Sequence, residues 1–171
     1  MRSPALKFIL LFIAQTALWN YFNFTPYVFI VFLPAMLLCL PAERGTVRVM
    51  ILAFILGLIA DFLVNGQMGL TSLALVPVAA FRRRVIRIVF GQEFFVRDEA
   101  LSFHRQGWVK FLWAILLLTG IYLIIYIPVD CAGMYSLGFR SLKFLFSLLV
   151  SSAVSMAAAF LLLEESDDRW K

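Results

Sequence analysis

The chain has 171 residues, 63% of them hydrophobic and only 15% charged, with a net charge of +5. Soluble domains carry about 45–50% apolar and about 25% charged residues, and a globule this small leaves about 30% of its chain's surface in water, so a soluble enzyme is excluded. The positive balance then reads as topology and membrane-surface attraction rather than affinity for nucleic acid: one polytopic membrane domain over residues 1–171.

A membrane-spanning helix needs about 20 mostly apolar residues. The first candidate runs from about Ala5 to Phe22, with Lys7 close enough to its end to reach the headgroups. A signal peptide is the competing reading of Arg2, Lys7 and the apolar run. The bulky sequence Trp19-Asn20-Tyr21-Phe22 offers no small-residue cleavage site, which favours an uncleaved span. Span two is expected from about Thr25 to Leu40, with Pro26 in its first turn, Pro34 as a kink and Pro41 as its stop. A short loop over residues 42–46 returns the chain antiparallel into span three, about Val47 to Val64.

After the turn at residues 65–69, the uncharged core of span four covers only about 14 residues, Met68 to Phe81. That is roughly 21 Å of helix against a hydrocarbon layer of about 30 Å. Extension through Arg82-Arg83-Arg84 brings it to length, with a kink expected at Pro77. Spans five, about Trp108 to Pro128, and six, about Leu142 to Leu163, are plain from hydropathy. Between spans four and five lies a basic, amphipathic stretch at about residues 82–107. In it Phe81, Val85, Ile88 and Val89 share one helix face, so it either continues span four out of the membrane or lies along the interface.

Charge fixes the orientation. With six spans and an inside N-terminus, the inner side carries Arg2, Lys7, Arg44, Arg48, Arg82, Arg83, Arg84, Arg87, Arg97, Arg105, Lys110, Arg169 and Lys171, which is 13 of the 15 basic residues. Only Arg140 and Lys143 fall outside. The expected fold is therefore an all-α integral membrane protein, a bundle of six transmembrane helices with both termini in the cytoplasm. Cys39 and Cys131 come out near opposite faces, too far apart for a disulfide.

Residues that carry chemistry are few. His104, beside Ser102, lies in the cytoplasmic loop, and no zinc, thiol-redox or nucleotide motif occurs. Neither a catalytic role nor a cofactor or metal is expected. Ionisable groups within spans are the better candidates, and Asp61 is the clearest. Gly57 lies four residues before it on the same helix face, as on a face that packs against another helix. Asp61 either caps or pairs locally, or ties the outer ends of the bundle together through Arg140 or Lys143. The cluster Arg82, Arg83, Arg84 and Arg87 reads as a topology signal attracted to anionic lipid, or as a docking site for a cytoplasmic partner. In the last span Ala153 and Ala157, like Ser151 and Ser155, follow a small-xxx-small spacing that suits close helix contact, within the bundle or with a partner's span.

The segment Gly57-Leu58-Ile59-Ala60-Asp61-Phe62-Leu63, leading to Gly69-Leu70-Thr71-Ser72-Leu73, resembles the bacterial rod shape-determining protein MreD family. In that family a span ending in a similar G-x-x-x-D motif precedes a glycine-containing turn and a short fourth span. The resemblance implies a non-enzymatic scaffold subunit of the cell-elongation machinery in the inner membrane, with Gly57, Asp61 and Gly69 as structural or partner-docking residues. Its implied partners are an MreC-type periplasmic scaffold and, indirectly, the elongation glycosyltransferase and transpeptidase and an MreB-type filament. Membrane lipids and a homodimer are further expected contacts. The family is also similar in fold to the substrate-binding subunits of energy-coupling-factor vitamin transporters, which makes small-molecule uptake the alternative. Against it, the Ala-x-x-x-Ala motif expected in span one is absent: Leu18 follows Ala14 by four residues, and Tyr21 follows Ala17.

Overall fold

A computed structural model describes residues 4–21, 28–40, 45–64, 69–91, 107–131 and 137–167. Six helices occur among them: α1 (Pro4–Tyr21), α2 (Leu33–Leu38), α3 (Thr46–Val64), α4 (Leu70–Phe90), α5 (Trp108–Asp130) and α6 (Leu137–Asp167). No strand is assigned among the described residues. Thr46–Val64, Trp108–Asp130 and Gly138–Leu163 are long and apolar enough to cross a membrane, and Leu6–Tyr21 is a shorter apolar helix. Helix α4 runs unbroken for 21 residues through the arginines, with Pro77 inside it. At 1.5 Å per residue that is about 31 Å, so the short apolar core is only part of a full-length helix.

The main departure is span two. The sequence reads as one helix to Leu40, but residues 28–32 are not helical and α2 is only six residues long. Two local causes are visible. Val28-Phe29-Ile30-Val31-Phe32 consists of β-branched and aromatic residues, which favour extended backbone. Pro34 stands in the first turn of α2, where its missing N–H costs nothing, so it opens this helix rather than kinking a longer one. Pro26 lies outside the described residues.

The five long helices close a ring, each touching its neighbours in the order α1, α3, α4, α5, α6 and back to α1. Helix α2 sits inside, against α1, α4, α5 and α6, with all six of its residues buried. The centre of the bundle is thus filled by its own chain.

Polarity is distributed inside out. Ile9 and Ile13 of α1, Phe54 and Phe62 of α3, Trp113 of α5 and Leu149 of α6 are exposed, while Gln15, Asp61, Arg82, Ser147, Ser151 and Ser155 are buried. In water each exposed large side chain would forgo about 1.5–3 kcal/mol of burial. An apolar solvent removes that cost and makes interior hydrogen bonds the better contact. The same solvent explains a second departure. The apolar face expected on the end of α4 is not the buried one: Val85 is buried, but so are Ile86 and Arg82, whereas Phe81 and Ile88 are exposed. Where the surroundings are themselves apolar, hydrophobic periodicity no longer marks the inward face.

Candidate functional site

Gly57, Asp61 and Gly69 lie where the second half of α3 packs against the start of α4. Asp61 is buried near the end of α3. Its carboxylate accepts the backbone N–H of Gly69 at 2.9 Å and of Thr71 at 3.0 Å. It therefore caps α4, satisfying amides that the helix leaves unpaired, at its positive dipole end. Gly69, immediately before α4, has φ +101°, a backbone conformation suited to glycine. Gly57 lies against Ser72: a Cβ there would fall 2.5 Å from the Ser72 Cα. The Ser72 hydroxyl donates to the Phe54 carbonyl at 3.2 Å, closing the helix pair. Of the two basic residues proposed for Asp61, Lys143 pairs instead with Asp130 at 2.8 Å.

A second cluster surrounds residues 28–32, and sequence reading missed it. In extended backbone, successive residues point their amide groups to opposite edges. On one edge, the Phe29 N–H donates to Ser147 Oγ at 2.9 Å and the Val31 N–H to Ser151 Oγ at 3.0 Å. Ser151 in turn donates to the Phe29 carbonyl at 3.0 Å, and Ser155 to that of Val31 at 3.3 Å. On the other edge, Gln15 of α1 donates to the Ile30 carbonyl at 3.1 Å and accepts the Phe32 N–H at 2.8 Å. Trp19 Nε1 donates to the same Ile30 carbonyl at 2.6 Å.

The match is one of pitch. Serines every four residues along α6 are spaced about 6 Å apart at helical rise, and two residues of extended chain cover about 6.6 Å. Helix α6 thus stands in for a neighbouring strand. Stacked rings extend the contact: Trp19 lies 5.3 Å from Phe29, Phe29 4.3 Å from Tyr126, and Tyr126 5.4 Å from Tyr122. The signal in the sequence was the i, i+4, i+8 serine row, which also fits a small-residue helix contact.

The arginine run divides. Arg83, Arg84 and Arg87 are exposed, with the Arg84 guanidinium 5.5 Å from the Phe81 ring centroid. Arg82 is not part of that surface; it is 1% exposed. Its Nη2 donates to the carbonyl of Leu38 at 3.3 Å and to that of Leu40. It neutralises the negative end of α2, where carbonyls lack helical partners. Cys39 and Cys131 are free thiols. His104 and Ser102 lie outside the described residues.

Compared with known proteins, the chain matches no family model, no curated protein and no solved structure at a significant level. Fold and interior together define its class, a helical protein, without strands among its described residues, whose long apolar helices fit a membrane.

Proposed function

We propose that the chain is a non-enzymatic scaffold subunit of the bacterial cell-elongation machinery, crossing the inner membrane six times with both termini in the cytoplasm. The observation that carries this reading is the filled centre of the ring. Helix α2 is buried, and the edges of residues 28–32 are bonded to α1 and α6, so the faces on offer to other molecules are the apolar outer ones. Such faces suit the spans of partner proteins, an MreC-type periplasmic scaffold first among them. The Gly57–Leu73 resemblance supports the same family of roles, as does the close α3–α4 pair.

Six crossings are supported by length and charge. Residues 28–38 cover about 25 Å as extended chain followed by helix, most of a hydrocarbon core. Gly57 against Ser72 and Phe90 against Phe111 bring the start of α3, the end of α4 and the start of α5 to one end of the bundle. Arg48, Arg83, Arg84, Arg87 and Lys110 therefore share that end, as the positive-inside rule asks of a cytoplasmic face.

The second reading is vitamin-type uptake, and one observation favours it. Thr119 Oγ1 and Tyr122 Oη, one turn apart on α5, are buried with no hydrogen-bond partner among the described residues, two polar groups that a bound polar solute would satisfy. Depletion in a rod-shaped bacterium separates the two. The scaffold reading predicts rounded cells that lose lateral wall incorporation; cells that stay rod-shaped but need a vitamin overturn it in favour of uptake.

A further inference from the structure

Helix α4 carries its arginines in two directions, and the outward set has a composition of its own. Phe81, Arg84 and Ile88 fall at i, i+3 and i+7, one stripe of the helix. Ile88 is 77% exposed and Phe81 42%, and Arg84 and the adjoining Arg87 are exposed as well. The edge-to-face contact of Phe90 with Phe111, ring centroids 5.6 Å apart, ties this end to the start of α5. There Lys110 and Trp108 are also exposed. Exposed isoleucine, phenylalanine and tryptophan interleaved with guanidinium and ammonium groups describe the depth at which acyl chains give way to headgroups. A water-soluble acidic partner would account for the charges but leave the apolar residues of the stripe in water.

We propose that this stripe of α4, together with Lys110, binds the phosphate headgroup of an anionic phospholipid. Arg84 and Arg87 supply planar guanidinium groups, which bind phosphate oxygens in pairs, Lys110 adds a point charge, and Phe81, about 4.5 Å of helical rise before Arg84, lies against the acyl chains. Arg82 has no part in it, being turned onto the carbonyls at the end of α2. The site is independent of the scaffold reading, since it requires only that the protein lie in a membrane.

The test is lipid retention by the full-length protein purified in a neutral detergent, read by native mass spectrometry. Phosphatidylglycerol should be retained in preference to phosphatidylcholine. Arg84→Gln and Arg87→Gln should each reduce that preference about fivefold, while Arg84→Lys and Arg87→Lys, which keep the charge but lose the paired contact, should fall between the glutamine variants and the original chain. An unchanged unfolding midpoint in neutral detergent would show the glutamine variants to be folded. Arg140→Gln serves as the control, because the Lys143–Asp130 pair puts the start of α6 at the far end of α5. Equal retention of the two lipids, equal loss from Arg140→Gln, or binding of an acidic peptide without any lipid preference would overturn the proposal.

Discussion

The hydroxyl of Ser151 accepts the amide of Val31 at 3.0 Å, and the same oxygen donates to the carbonyl of Phe29 at 3.0 Å. One side chain thus serves two backbone groups of a segment that has no strand beside it. Ser151→Ala leaves both unsatisfied inside the bundle, at about 1–3 kcal/mol each. The expected loss is about 2–6 kcal/mol in detergent unfolding. Ser152→Ala is the comparison: that hydroxyl bonds the Leu149 carbonyl of its own helix, and its loss should stay within about 0.5 kcal/mol.

Gln15 and Ser151 grip opposite edges of the same segment, so their effects should not add. A double-mutant cycle of Gln15→Leu and Ser151→Ala should return a coupling of about 0.5–3 kcal/mol. Additive losses would mean that the two edges are held independently.

At Gly57 the neighbour is backbone, which has little room to yield. Gly57→Ala should cost about 1–3 kcal/mol by forcing α3 and α4 apart. Gly120→Ala should be tolerated, since its new Cβ would meet only the Leu148 Cδ1 at 4.0 Å. Unfolding of the two variants side by side checks this.

Asp61→Ala removes both capping bonds and should destabilise by about 1–2 kcal/mol. Asp61→Asn keeps one acceptor oxygen and should lose less. If the two variants lose stability equally, the cap is not what Asp61 provides.

Arg82 and Arg87 are about 1.4 turns apart, and only Arg82 faces inward. Arg82→Met deprives the Leu38 and Leu40 carbonyls of their donor and should cost about 2–4 kcal/mol. Arg87→Met, at the exposed surface, should change stability by no more than about 0.5 kcal/mol in neutral detergent. Thermal unfolding of the pair distinguishes inward from outward arginine.

Hydropathy located α3, α5 and α6 because their cores are unbroken apolar runs, a signal that depends on length alone. It failed for span two because Val28–Phe32 is as hydrophobic as a helix would be. Its extended form depends on Gln15, Trp19 and three serines more than 100 residues away, a tertiary match that no local window contains. Asp61 was legible as a buried acid, but its partners are backbone amides, which have no letter in the sequence. Arg82 was grouped with its neighbours because the run is contiguous; helical rotation of 100° per residue separates them.

The filled centre rests on residues 29–31 being extended within the bundle. Carbon chemical shifts of Phe29, Ile30 and Val31, measured by solid-state NMR on the full-length protein in lipid bilayers, test this most directly. Strand-like values at all three are predicted, moving toward disorder in Ser151→Ala. Helical values continuous with Leu33 would contradict the extended segment and restore an ordinary second span.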